Sequence, residues 1–254
     1  MQTEELSKWR SDTRAFWDTD SAFDAKYGRI LLSPEMEAAP NEAALDAEWD
    51  RRTVEDVKML LRGIPIAPEW TCVEIGCGIG RLLKPIALRC RKVIGIDISE
   101  RMVGFAGDFL AAVDNAEVHL NDGTSLSMIA DESVDWVYSH LAFQHITAYE
   151  VVDCYLAEIA RVLKPGGYCR IQNWHEAPIP FVERVKNIAR ACLGREHYHG
   201  PRRWEWKPGR NVRFGGVTYH PKDWKRALAD HGLRVVSLEL GAGHDYWMWT
   251  TSRR

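Results

Sequence analysis

Three glycines at alternate positions, Gly76, Gly78 and Gly80, follow the apolar run Cys72 to Ile75 and precede a helical pattern that opens at Arg81. Glycine takes positive φ without a Cβ penalty and lets a ligand lie against the backbone. A strand, a tight glycine turn and a helix start in this order form the opening of a βαβ unit that holds a nucleoside-like cofactor. A dinucleotide fingerprint needs glycines at its first, third and sixth positions, and here Arg81 stands at the sixth. That departure argues against NAD and leaves a ligand with no pyrophosphate. Asp97 ends the next apolar run, about 20 residues past the glycines, where a carboxylate can accept hydrogen bonds from both ribose hydroxyls. His140 and His145 follow the fourth strand pattern; an imidazole, with an ordinary pKa near ~6.5, is the usual side chain for taking a proton from a reacting hydroxyl.

These residues need a scaffold, and the surrounding pattern supplies one. Leu6, Trp9, Thr13 and Phe16 recur at helical spacing between Glu4 and Trp17, so the chain begins with an amphipathic helix. It either packs on the domain surface or serves as a lid whose aromatics, Trp9, Phe16, Trp17, Phe23 and Tyr27, close over a ligand. A second helix is predicted from Glu42 to Arg62, with Asn41 as its N-cap and Gly63 and Pro65 as its stop. From residue 64 strands and helices alternate, which argues for a parallel sheet covered on both faces. Strands are expected at Cys72 to Ile75, Lys92 to Asp97, Glu117 to Leu120, Val134 to Ser139 and Tyr168 to Asn173. Helices are expected at Arg81 to Cys90, Glu100 to Val113 with Ser99 as N-cap, and behind a capping box at Thr147 to Glu150. Pro165-Gly166-Gly167 stops that last helix. Further on come a helix from Pro180 to Cys192, an irregular stretch to Val217, a helix from Pro221 to His231 and two closing strands. The expected organisation is a helical cap over residues 1–63 and a main domain over 64–254, with a substrate-facing insertion at about 176–220.

The runs Val-Glu-Ile-Gly-Cys-Gly-Ile-Gly-Arg (73–81), Val-Ile-Gly-Ile-Asp-Ile-Ser (93–99), Asn-Asp-Gly (121–123), Asp-Trp-Val-Tyr-Ser (135–139) and Arg-Val-Leu-Lys-Pro-Gly-Gly (161–167) together resemble a class I S-adenosylmethionine-dependent methyltransferase. Five motifs in family order are far more specific than any one of them. The resemblance covers residues 64 to about 175. It implies an α/β fold, a doubly wound, Rossmann-like, seven-stranded and mostly parallel sheet whose last strand is antiparallel, with S-adenosyl-L-methionine at the carboxyl ends of the first strands. It also implies that Gly76, Gly78 and Gly80 cradle the methionine and ribose, and that Asp97 takes the ribose hydroxyls. Asp122 would receive the adenine amine, Gly123 would give backbone contacts, and Ile98 and Ser139 would lie beside the cofactor. Glu74 and Arg81 flank the turn and are candidates for the two ends of the methionine, with solvated charges as the alternative.

Methyl transfer from a sulfonium is an in-line displacement, so the protein contributes chiefly alignment and desolvation. A hydroxyl acceptor must also lose its proton. Phe143-Gln144-His145-Ile146 resembles the sequence at this place in bacterial methyltransferases acting on sugars and other small hydroxylated compounds. His145 is the first candidate base, His140 the second and His175 a weaker third. No Asp pair stands after the fourth strand, so no metal is assigned. Arg195 to Phe214 mixes basic residues with Tyr198, Trp204 and Trp206, a combination that can stack on a ring while pairing with an anion. Tyr198, Trp204, Trp206 and His175 are therefore the candidate acceptor contacts, and the acceptor expected is a saccharide, secondary metabolite or anionic small molecule.

Composition bounds the alternatives. The 254 residues carry 33 Lys+Arg against 36 Asp+Glu, a formal charge of -3 that gives no global footprint for nucleic acid or anionic membrane. Met1 to Arg10 lack an apolar core and no long apolar run occurs, so a soluble, cytoplasmic protein is expected. The six cysteines, without a C-x-x-C pair, read as reduced, buried thiols. Two other functions remain: an RNA or protein methyltransferase, and a non-catalytic cofactor-binding scaffold. Against the first, DNA-modifying relatives carry an Asn/Asp-Pro-Pro-aromatic run where this chain has Ser139-His-Leu-Ala. Homo-oligomer formation stays open.

Overall fold

The computed structural model describes residues 3–18, 39–175, 216–241 and 247–254. Helix α1 spans Thr3–Trp17 and α2 spans Glu42–Leu60, the latter capped by the Asn41 side chain, which accepts from the Ala44 N–H at 3.0 Å. Then follow β1 (Thr71–Ile75), α3 (Leu83–Ala87), β2 (Lys92–Asp97), α4 (Glu100–Phe109), β3 (Ala116–Leu120), β4 (Val134–Ser139), α5 (Tyr149–Val162) and β5 (Leu163–His175). After the undescribed stretch come β6 (Thr218–Tyr219), α6 (Pro221–Asp230), β7 (Arg234–Leu240) and β8 (Trp247–Arg253).

One sheet runs in the order β3-β2-β1-β4-β5-β8-β7, with the two-residue β6 paired to β5 off this path. β1 is parallel to β2 and β4, and β8 is antiparallel to both β5 and β7. This is the expected doubly wound order with β6 added. The direction of winding reverses between β1 and β4, where their carboxyl ends leave a crevice.

Alternating side chains divide the core into two layers. Val73, Ile75, Ile94, Ile96 and Val137 pack with Val152, Tyr155, Leu156 and Ile159 of α5 and with Trp224 and Leu228 of α6. On the other face Cys72, Val93, Trp136, Tyr138 and Trp249 pack with Val57 and Leu60 of α2 and Leu83 and Ile86 of α3. The five residues of β1 are all buried, as a central parallel strand requires.

Several boundaries differ from the sequence expectation. The helix after the glycines covers only Leu83–Ala87 rather than 81–90, because Arg81 is drawn into an ion pair and Leu82 is the N-cap. α4 ends at Phe109, not Val113. No capping box forms at α5: its N-cap is Ala148, without a side-chain cap, and the Thr147 hydroxyl instead accepts from Trp9 Nε1 at 2.9 Å. Cys72, Cys77, Cys90 and Cys169 are buried free thiols, whereas Cys154 is exposed on α5. Cys192 and the helix expected at 180–192 lie outside the described residues. Among the described residues, no helix is long and apolar enough to cross a membrane.

Candidate active site

The glycine turn takes the backbone shape its composition allows: φ is +74° at Gly76, +52° at Gly78 and +81° at Gly80. At Gly76 the need is also steric, since a Cβ there would collide with the Cβ of Ala142. The loop after β4 therefore crosses directly over the turn. Gly76 and Cys77 donate to the Ile96 carbonyl at 2.8 and 3.1 Å, which ties the turn to the end of β2.

Asp97 lies at that end, 9% exposed. Its Oδ2 accepts from Gly78 N–H at 2.8 Å and its Oδ1 from Ser99 N–H at 3.0 Å. Burial raises its pKa despite these donors. A carboxylate offers about four acceptor sites, more than its backbone donors fill. Ile98, half-buried, follows it, and its carbonyl accepts from Arg14 Nε at 3.1 Å.

Asp122 sits beyond β3. Its Oδ1 accepts from the N–H groups of Thr124 and Ser125, each at 2.9 Å, and its Oδ2 pairs with Arg10 Nη2 at 2.8 Å. Burial alone would raise its pKa, but these donors hold it below the usual value. Gly123 turns at φ +85°, and a Cβ there would press on Ile98 Cδ1 and the Trp9 ring. Helix α1 thus rests on this end of the sheet through Trp9, Arg10 and Arg14. Asp18, just past the helix, accepts from Ser99 Oγ at 2.6 Å. A cleft of about 440 Å³, lined in part by Arg10, Arg14, Asp18 and Asp122, opens beside it.

Across the turn stands a second group of charges. Glu74 is 2% exposed, its Oε2 has no hydrogen-bond partner among the described residues, and burial pushes its pKa up to about 8 against the opposing pull of Arg81. Arg81 is not a solvated charge. It is 7% exposed, with Nη2 2.7 Å from Asp56 Oδ2 and Nη1 3.3 Å from Thr53 Oγ1, both on α2. His140 Nε2 lies 3.2 Å from the same Asp56 oxygen. Burial would raise the Asp56 carboxyl, but His140 and Arg81 outweigh it and hold the pKa at about 2. Ser139, fully buried, donates its hydroxyl to the Ile75 carbonyl at 2.8 Å and joins the ends of β1 and β4.

The β4 loop itself is strained. Leu141 has φ +62°, held in part by its N–H on Gln172 Oε1 at 3.0 Å. A 3-10 turn, Phe143–His145, follows. His145 is half-buried, with Nε2 3.2 Å from Gln144 Nε2 and its ring 5.5 Å from that of Trp17. His175, 7% exposed, ends β5 beside Tyr219. Tyr198, Trp204 and Trp206 lie outside the described residues.

The same segment carries the family signal. Residues 73–171 match the family described as a methyltransferase domain. A malonyl-[acyl-carrier protein] O-methyltransferase of Methylococcus capsulatus is 31% identical over 114 residues, which are 44% of this chain and 40% of that protein. Residues 73–171 thus form a methyltransferase domain, on the fold of the class I S-adenosylmethionine-dependent enzymes. A ubiquinone biosynthesis O-methyltransferase of Rhizobium rhizogenes is 31% identical over 65% of this chain and 60% of its own length. The chain thus spans less than two thirds of these relatives. The geranyl diphosphate C-methyltransferase of Streptomyces coelicolor shares the methyltransferase fold, with a TM-score of 0.64 at 14% identity over 97% of this chain and 98% of that one.

S-adenosylmethionine is the cofactor of this methyltransferase family, and the residues present fit it. Gly76, Gly78 and Gly80 present backbone without side chains at the carboxyl end of β1, and Glu74 Oε2 and His140 Nδ1 are buried polar atoms with no hydrogen-bond partner among the described residues. Sequence reasoning missed Asp56, Arg10 and Arg14. Asp56 is one of several acids on α2, and no local pattern marks it.

Proposed function

We propose that the chain transfers the methyl group of S-adenosylmethionine to a hydroxyl of a small molecule, with a saccharide or secondary metabolite as the acceptor. The observation that carries this reading is Asp97: a buried carboxylate at the end of β2, hydrogen-bonded to the glycine turn and opposite a loop that bears two histidines.

In this reading Gly76, Gly78 and Gly80 admit the methionine and ribose, and Asp97 accepts hydrogen bonds from the ribose hydroxyls. Asp122 and Gly123 face the adenine, with Ile98 and Ser139 as neighbours. Glu74 and Arg81 serve the methionine ends. When bound, the cofactor would supply an activated methyl carbon on a sulfonium leaving group, and the residues of this chain would align the acceptor oxygen with it. A histidine of the β4 loop, His145 or His140, takes the acceptor's hydroxyl proton. Closure by α1 and the loop excludes water from the reacting atoms.

The choice of a hydroxylated small molecule rests on the Phe143-to-Ile146 sequence and on the basic and aromatic residues 195–214. It is tested with methyl-labelled S-adenosylmethionine offered to a panel of monosaccharides, sugar nucleotides and phenols. The expected product is an alkali-stable methyl ether. Label that is released by mild alkali as an ester, or that enters only RNA or protein, would contradict the assignment.

A further inference from the structure

Asp56 is a carboxylate on α2 that meets two groups of the candidate site at one oxygen. Arg81 Nη2 stands at 2.7 Å and His140 Nε2 at 3.2 Å from its Oδ2. An ionised carboxylate has no proton to give, so the imidazole nitrogen facing it must be the one that carries hydrogen. In a neutral imidazole the other nitrogen is then a bare acceptor. That nitrogen, His140 Nδ1, is buried and has no hydrogen-bond partner among the described residues. The ring cannot turn freely, because it stacks on Trp249 with 5.3 Å between centroids and 12° between planes. Trp249 is itself fully buried, with the Arg170 guanidinium 5.0 Å from its ring. Arg170 in turn is held by Thr251 at 2.5 Å and Glu239 at 3.2 Å.

We propose that Asp56 is a positioning residue for His140: it fixes the tautomer with the proton on Nε2, orients the ring, and leaves Nδ1 as the base that receives the acceptor's hydroxyl proton. This rests on the methyl-transfer reading above and chooses between its two histidines. In the proton step the acceptor O–H bond breaks as the oxygen–methyl bond forms, and the proton bonds to the Nδ1 lone pair. The resulting imidazolium keeps its Nε2–H on Asp56, whose negative charge stabilises it. Arg81 limits that stabilisation by sharing the same oxygen, and it also keeps Asp56 ionised. His145 has a different setting, beside the Gln144 amide and the Trp17 ring.

The test uses the full chain labelled with 15N-histidine, with and without saturating S-adenosylhomocysteine. Long-range 1H–15N spectra distinguish the two neutral tautomers, and His140→Gln identifies the signal. In the wild type, at a pH where the ring is neutral, His140 should be the Nε2–H tautomer with an unprotonated Nδ1. In Asp56→Ala the freed Arg81 should donate to Nε2, and the Nε2–H signal should be lost in favour of Nδ1–H. A wild-type Nδ1–H tautomer, or an Asp56→Ala spectrum that keeps the Nε2–H signal, overturns the proposal. If Asp56→Ala does not fold, the wild-type tautomer alone decides it. Calorimetry with S-adenosylhomocysteine separates the two failures: a wild type that does not bind it removes the reaction and with it the role of His140, whatever the tautomer.

Discussion

At Glu74 the cost of burying a carboxylate outweighs the pull of Arg81, which pushes the pKa from 4.5 up to about 8. A folded-state pKa above the unfolded one means that the native state holds the extra proton. The stability this gives is present in full below the unfolded value and is lost as pH rises towards about 8. Glu74→Gln should therefore stabilise the cofactor-free protein by a few kcal/mol above pH 8 and change little near pH 4, as read by chemical denaturation at both values. Asp56 has the opposite sign, with a pKa held at about 2 against an ordinary 3.8. Its contribution is present above the ordinary value and disappears as pH falls through about 2. Asp56→Asn should cost roughly 1–2 kcal/mol at neutral pH and progressively less in acid. Gly76, Gly78, Gly80 and Asp97 were legible in the sequence because the turn and the strand end are local patterns with a characteristic separation. Asp56 was not, because its partners come from the glycine turn and the β4 loop and only the fold brings them to one oxygen.

Helix α1 is fastened at the carboxyl ends of β2 and β3 by Trp9, which its amphipathic pattern includes, and by Arg10 and Arg14, which that pattern does not single out. Arg10 and Arg14 reach Asp122 and the Ile98 carbonyl, and Trp9 packs over Gly123 while donating to Thr147. The Arg10–Asp122 pair is partly solvent-exposed and contributes at most about 1 kcal/mol. Trp9 combines burial against Gly123 with a hydrogen bond, so Trp9→Ala should loosen α1 more than Arg10→Ala does. Hydrogen exchange over residues 3–17 should rise in the first variant and change much less in the second; equal protection in both would contradict this ranking. The capping box expected at α5 illustrates what local pattern misses: Thr147 has the right spacing, yet its hydroxyl is taken by an indole from the far end of the chain. At the glycine turn, Gly76→Ala combines a positive φ with a collision against Ala142. It should cost on the order of 1–3 kcal/mol of stability and displace the β4 loop, seen as a lower Tm and altered His140 and His145 signals.

Across the whole molecule, the strand–helix alternation foretold the parallel sheet, because a strand buried on both faces leaves an uninterrupted apolar run. The order β3-β2-β1-β4-β5-β8-β7 brings Asp97, the glycine turn, Ser139 and the β4 histidines to one crevice. The short β6 pairing was not legible, since two residues carry no periodicity. Tyr198, Trp204 and Trp206, the expected acceptor contacts, fall outside the described residues. The central claim, that this crevice binds S-adenosylmethionine through Asp97, is most directly tested by calorimetric titration of the wild type and Asp97→Ala with S-adenosylhomocysteine. The account predicts binding by the wild type and a loss of roughly 1–3 kcal/mol in the variant, about 5- to 150-fold in Kd. Equal affinity in the two proteins, or no binding by the wild type, would contradict it.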